Sequence, residues 1–322
     1  MNVLLELKKR LSPIGKHRFA LTELKKLEKK YPDDPLLKEC IRAVKKKIFL
    51  FSESHIRRRL INLYISELGI SNKTTWNVND IQIKSHQYPD YQYIFVYEYI
   101  DIVLSDLYLR QKVHNLSRLS NILSCFPQEG PYQWKNVRLK EGDIIIDAGS
   151  NIGLFSLFAS KYYNCQCYAF EPSKKVLPIL EENINSNNLD DFIHICPYGL
   201  SNTNGTVTFN IHQNNIGGSS MVIAQNSDND TDEIQCVSLD SWAKENNITR
   251  IDFIKADIEG AERLLLQGAT YVLQTLQPKI SICTYHFPDD KQVLTNLIKK
   301  ANPNYKIMYA HEKLYAYIPN KP

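Results

Sequence analysis

From about residue 138 onward the sequence predicts an α/β fold, a mostly parallel sheet with helices on both faces, preceded by a mainly helical N-terminal region. Three observations carry that reading. Apolar runs rich in β-branched residues alternate with segments of helical period over residues 138–318, the pattern of strand–helix–strand units. The first strong apolar run ends in an acid and a glycine-rich turn. Before residue 115 the apolar positions repeat at helical spacing instead, as Val3, Leu4, Leu7 and Leu11 do.

The elements follow in order. Strands are expected at 144–147, 167–170 and 193–196, with helices at 152–163 and 174–187 between them. Residues 206–211 and 234–237 read as an inserted hairpin or edge pair, and the polar run Asn226–Asp232 as a loop. A helix at 239–246 precedes a strand at 251–256 and a short helix at 262–267, which Gly268 should stop. A strand at 279–283, a helix at 289–300 and a strand pair at 305–309 and 314–318 close the chain. Upstream, Tyr31-Pro-Asp-Asp-Pro35 interrupts the helical pattern, and residues 36–51 and 55–68 resume it. Tyr88, Tyr91, Tyr93, Tyr97 and Tyr99 read as a half-buried aromatic face. The expected division is residues 1–115, a helical region of unassigned role, and 116–322, the α/β domain.

Composition narrows the class. With 322 residues, 43% of them hydrophobic, the chain can bury one large core and a smaller one. It has no run of about 18 apolar residues, so no membrane span is expected. Met1–Arg10 carry charges where a signal peptide would be apolar. Seven scattered cysteines suit a reducing compartment, and a cytoplasmic protein is expected. Residues 1–50 hold 14 Lys and Arg against 6 Asp and Glu, a net of +8, while the whole chain is +4. Lys25, Lys26, Lys29 and Lys30 alternate with Leu24 and Leu27 there, so the basic end reads as the solvated face of a helix.

The chemistry concentrates at strand ends. Residues 142–156 run Gly-Asp-Ile-Ile-Ile-Asp-Ala-Gly-Ser-Asn-Ile-Gly-Leu-Phe-Ser. An apolar strand ends at Asp147, and a turn through Gly149, Ser150, Asn151 and Gly153 opens a helix whose first N–H groups are unpaired. A dinucleotide fingerprint would carry three glycines to admit a pyrophosphate. Here an acid precedes the first glycine, which suits a ligand with an ammonium and a sulfonium, such as S-adenosylmethionine. The next strand ends in Phe170-Glu171-Pro172-Ser173, where an acid accepts hydrogen bonds from ribose hydroxyls.

Further acids lie in Asp252-Phe-Ile-Lys-Ala-Asp-Ile-Glu-Gly-Ala-Glu262. Asp257 and Glu259 fall beyond the fourth core strand and read as site residues that hold the cofactor's amino group, position a hydroxyl or bind a divalent ion. Glu262 reads as a complement to the following helix dipole. His286 lies just beyond the fifth strand, where catalytic groups sit in such sheets. The polar loop at residues 214–220 is a candidate cover over substrate or a plain hairpin connection. Cys165 and Cys167 read as core, and no metal-ligand set is assigned.

These pieces together resemble the FkbM family of methyltransferases. The matching residues are 142–156, Glu171-Pro172, Leu239-Asp240, 254–262, Gly268-Ala269 and Tyr285-His286, with a run-in at 130–137. Lys255-Ala256 departs from the branched residue usual before the family's aspartate. The resemblance implies a class I methyltransferase, Rossmann-like, with a seven-stranded sheet whose last strand is antiparallel. It implies methyl transfer from S-adenosyl-L-methionine to oxygen, on a sugar, glycan, glycoconjugate or natural product. The expected cofactor-binding residues are Asp147, Gly149, Ser150, Asn151, Gly153, Glu171, Ser173 and Asp257. The expected catalytic residues are His286 as general base, with Asp257 or Glu259 orienting the acceptor. Two rival readings are an RNA methyltransferase that uses the basic N-terminal region as its phosphate surface, and a non-catalytic module that only binds the cofactor. The absence of an RNA-binding signature speaks against the first, and the cluster of acids against the second.

Overall fold

A computed structural model of the chain describes residues 75–78, 81–84, 132–211, 218–223, 231–310 and 312–319. All of these fall in one of the two compact units into which the chain divides, residues 74–112 together with 129–322. The helices expected within residues 1–73, the tyrosine-rich stretch at 88–99 and residues 212–217 of the polar loop lie outside the described residues.

In chain order, β1 (Thr75–Val78) and β2 (Ile81–Lys84) form an antiparallel ribbon. Then come β3 (Ile144–Ala148), α1 (Leu154–Tyr163), β4 (Gln166–Phe170), α2 (Leu177–Ser186) and β5 (Ile193–Cys196). A small three-stranded sheet follows, of β6 (Gly199–Ser201), β7 (Gly205–Asn210) and β8 (Thr231–Ser238). The chain continues through α3 (Leu239–Glu245), β9 (Phe253–Ala256), α4 (Glu262–Gln267), β10 (Lys279–Cys283) and α5 (Asp290–Ala301). It ends with β11 (Lys306–Ala310) and β12 (Lys313–Tyr317).

The main sheet has seven strands in the order β11-β12-β10-β9-β3-β4-β5. Strands β5, β4, β3, β9 and β10 run parallel, and β12 is antiparallel to both β10 and β11. This is the class I methyltransferase sheet. Helices cover both faces, so strand residues are buried whichever way they point. Ile145, Ile146, Phe253, Ile254, Ile280 and Ile282 are accordingly all buried, and their sequences read as unbroken apolar runs.

Strand order reverses between β3 and β9: the chain moves outward through β4 and β5, then returns to the other side of β3. A crevice opens beyond the carboxyl ends of strands at such a reversal. The two richest motifs sit there, one at the end of β3 and one at the end of β9.

Three features differ from the sequence reading. The ribbon β1–β2 lies in a span read as helical, and Asn187, just after α2, holds it. The Asn187 side chain accepts from Gln82 N at 2.7 Å and donates to Gln82 O at 2.6 Å, as a neighbouring strand would. Residues Val272–Leu276 form a π-helical turn started by Asp240, whose carboxylate accepts from the N–H groups of Tyr271 and Val272. Gly268 ends α4 as expected, but from φ −86° and not from the left-handed conformation that such a glycine commonly takes. A glycine is needed there because a β-carbon would come within 2.1 Å of the Ser201 carbonyl oxygen.

Candidate active site

The glycine turn is built from below by Lys255. Its Nζ donates to the carbonyl of Gly149 at 2.6 Å and lies 3.1 Å from Oδ1 of Asp147. The other oxygen of Asp147 accepts from Ser156 Oγ in the first turns of α1 at 2.7 Å. Asp147 is fully buried and Lys255 is 5% exposed. Asp147 is thus committed inside the protein: it anchors strand, turn and helix to one another instead of presenting its carboxylate to a ligand. The acid expected to meet the cofactor is thus engaged with Lys255 and Ser156.

The turn's glycines have distinct reasons. Gly149 (φ +72°) lies so close to the backbone after β9 that a β-carbon would be 2.0 Å from the Asp257 carbonyl oxygen. At Gly153 (φ +92°) it would be 2.6 Å from Leu180 of α2. Close approach of protein to protein, in left-handed backbone, fixes both. Asn151 also takes the left-handed conformation, at φ +50°.

Glu171 faces the turn from the end of β4. Its Oε2 accepts from Asn151 N at 3.0 Å and its Oε1 from Ser173 N at 2.9 Å. Burial pushes its carboxyl up to about 7, against the pull of those two backbone donors. Ser150 is buried, and its hydroxyl has no hydrogen-bond partner among the described residues. The residues Gly149, Ser150, Asn151, Gly153, Glu171 and Ser173 are therefore gathered at one place, as expected.

A second cluster begins at Asp257. Tyr132 OH donates to its Oδ2 and Tyr285 OH to its Oδ1, each at 2.8 Å. Burial alone would raise this carboxyl, but Lys255, Lys313, His286 and the Tyr132 hydroxyl outweigh it and hold it below the ordinary carboxylate range. The ammonium groups of Lys255 and Lys313 lie 5.3 and 4.4 Å from the Tyr132 ring centroid, a favourable cation–π arrangement in a dry site.

His286 completes the cluster. Its Nε2 is 3.3 Å from Glu259 Oε2 and 3.9 Å from Asp257 Oδ1, and its Nδ1 is 3.2 Å from Glu262 Oε1. Burial works against a charge on the ring, yet Glu259, Glu262 and Asp257 prevail and push it up to about 11. Glu262 is fully buried and accepts from Ile258 N at 2.9 Å. It is a member of the site, not the surface dipole complement that its place in α4 suggests. Glu259 sits at φ +51°, a strained conformation for a side-chain-bearing residue. Its carbonyl accepts from Ser220 Oγ at 2.6 Å, so the end of the polar loop, residues 218–223, rests on this corner. The loop that carries His286 is tied to α4 and α5 by Arg263, which pairs with Asp289 and Asp290 and lies over the Phe287 ring.

Tyr132, Lys255, Glu262 and Lys313 were not among the residues expected from sequence. Lys255 alone carries a signal: a lysine inside an otherwise apolar strand must find a buried partner.

Sheet order, glycine turn and acid-lined crevice together define a class I methyltransferase. The chain belongs to the FkbM family: the Methyltransferase FkbM domain matches residues 147–320. Membership implies S-adenosylmethionine as methyl donor. Curated relatives include the hexuronic acid methyltransferase AglP of Haloferax volcanii, 28% identical over 162 residues, half of this chain and 64% of that one. Another is the methyltransferase sdnD of Sordaria araneosa, 28% identical over 159 residues, 40% of this chain and 61% of that one. The chain thus spans under two thirds of the length of either. Among solved structures, the methyltransferase FkbM of Methylobacillus flagellatus KT is 22% identical with a TM-score of 0.44, covering 62% of this chain and 52% of that one. Among the described residues, no helix is long and apolar enough to cross a membrane.

Proposed function

We propose that this chain is an S-adenosylmethionine-dependent O-methyltransferase acting on a hydroxyl of a sugar, glycan or glycoconjugate. The observation that carries the reading is the juxtaposition of two different half-sites at one strand reversal. One is a turn with a buried ribose-type acid, Glu171. The other is a polar, tyrosine-lined acid cluster whose Asp257 backbone touches that turn. The name of the Haloferax relative, a hexuronic acid methyltransferase, supports a sugar acceptor.

On this reading each Glu171 oxygen keeps a lone pair for a ribose hydroxyl, since backbone donors already fix the carboxylate. Ser150 and Asn151 offer polar groups from the turn, and Ser173 lines the ribose side. Asp147 and Lys255 hold the turn from beneath. When bound, the cofactor supplies a sulfonium methyl group. That methyl group would pass to the acceptor oxygen, with the electron pair of its bond to sulfur left on sulfur. Asp257 and Glu259 orient the hydroxyl. Its proton passes to the Glu259–His286 pair. In the metal-free chain the surrounding carboxylates keep a proton on His286, so there Glu259 receives the hydroxyl proton first and the imidazolium steadies the carboxylate. This refines the general-base role read from sequence. Positioning in the crevice supplies most of the acceleration.

The test is turnover. Full-length protein is incubated with S-adenosylmethionine and a panel of glycans, with RNA as comparison. The expected result is S-adenosylhomocysteine formed with a glycan product heavier by one CH2 group. Turnover with RNA and with no glycan would overturn the proposal.

A further inference from the structure

We infer that Asp257, Glu262 and His286 form a binding site for a divalent cation of the Mn2+ or Mg2+ class. Each of the three offers a ligand atom, and these atoms lie within 4.8 Å of one another. The set is two carboxylates and one imidazole, a hard oxygen-rich donor group that suits Mn2+ or Mg2+ better than a thiophilic ion.

A cluster of acids alone would carry little weight. The second observation is that its members hold buried polar atoms in reserve. Glu262 is fully buried. Its Oε1 takes the Ile258 N–H, while its Oε2 has no hydrogen-bond partner among the described residues. The His286 side chain is 4% exposed, and neither ring nitrogen makes a well-aligned hydrogen bond. Buried groups in native proteins are normally satisfied. A fully buried Glu262 with an unsatisfied carboxylate oxygen, and a His286 ring that faces three carboxylates without a well-aligned hydrogen bond, are what a cation would complete.

Charge leads to the same conclusion. Three carboxylates, those of Asp257, Glu259 and Glu262, surround the single imidazole. Lys255 is engaged with Asp147 and with the turn carbonyls. Against burial, Lys255, Lys313 and the His286 ring hold the Asp257 carboxyl below its ordinary range, and a divalent ion would add a positive centre among the three carboxylates. Asp257 has one oxygen toward His286 and both toward tyrosine hydroxyls, so the ion would be placed where the acceptor hydroxyl is expected. There it would lower the hydroxyl's proton affinity as it does for bound water. This last role rests on the proposed function, whereas binding of the ion does not.

The experiment uses the full chain, stripped with EDTA, dialysed and titrated with MnCl2. Calorimetry and the loss of the free Mn2+ electron paramagnetic resonance signal report stoichiometry, and S-adenosylhomocysteine binding is measured on the same sample. The expected result is one Mn2+ per chain, with nitrogen coupling from a histidine in the bound spectrum. Losing a ligand costs at least what losing a supporting partner costs, about 10–100-fold. Glu262→Gln should therefore weaken Mn2+ binding by that much or more, and the exposed Glu181→Gln should leave it unchanged. If Glu262→Gln does not melt cooperatively, the wild-type nitrogen coupling decides. A wild type that binds S-adenosylhomocysteine and no Mn2+ overturns the cation site and leaves the methyltransferase reading standing. Unweakened binding in folded Glu262→Gln, or no nitrogen coupling, overturns it as well.

Discussion

The two halves of the crevice satisfy their charges differently. On the turn side every acid has its partners within the protein: Asp147 has Lys255 and Ser156, and Glu171 has the N–H groups of Asn151 and Ser173. On the other side three carboxylates surround one imidazole, and Glu262 Oε2 has no hydrogen-bond partner among the described residues. A site for a common donor can be built rigid in advance. The other half rests its geometry on a few shared contacts.

The strongest way to break the comparison is at the seam between the halves. Gly149→Ala would force a β-carbon against the Asp257 carbonyl at a left-handed φ. It should abolish S-adenosylhomocysteine binding and acceptor turnover together, as calorimetry and a turnover assay would show. Next in size is Lys255→Met, which strands Asp147 as a buried unpaired charge. Breaking one partner of a buried pair costs about 3–5 kcal/mol. Thermal melts should show a loss of that order, and near-wild-type stability would mean that the pair contributes little.

Glu171 sharpens the comparison through pH. Its carboxyl is raised to about 7 in the free protein, above its ordinary value of about 4.3 in an unfolded chain. The folded state therefore binds the extra proton between those values, and stability falls as pH rises through that window. Wild type should lose melting temperature relative to Glu171→Gln from about pH 4.3 to about 7 and run parallel to it above. Cofactor affinity should move the opposite way, rising with pH as the carboxylate forms. Glu171→Ala should cost at least about tenfold in affinity, because a bond to a charged acceptor is worth about 1.5–3 kcal/mol. Wild-type affinity in that variant, or a preference for NAD, would refute the assigned role.

The smallest effect is expected away from both halves. Asn187→Ala removes two hydrogen bonds to Gln82. It should cost about 1–2 kcal/mol and speed amide exchange at residues 81–84, with little change in S-adenosylhomocysteine affinity.

Most of the main sheet was legible in the sequence because a parallel sheet covered on both faces makes unbroken apolar runs, such as Ile144-Ile-Ile146 and Phe253-Ile254, that stand out between helical segments. Strand β6, three residues long, was not, since so short a run has no period to detect. The ribbon β1–β2 was hidden because its partner is a side-chain amide 105 residues away. Within the site, Asp257, Glu259 and His286 could be placed beyond strand ends, which a period-two reading locates. Tyr132 and Lys313 could not: Tyr132 bonds Asp257 from a connecting segment and Lys313, in the last strand, lies over the Tyr132 ring, contacts that only the closed sheet creates. Glu262 was misread because its position in α4 favours a solvent-facing acid, and only the packed structure turns it inward.

The contact between Gly149 and the Asp257 carbonyl has a mechanical consequence. Two backbone segments that meet with no side chain between them have no compliant layer to absorb a shift. Any shift of the turn at Gly149 is passed straight to the backbone of Asp257. On the proposed assignment of the two half-sites, filling one would be felt as geometry in the other.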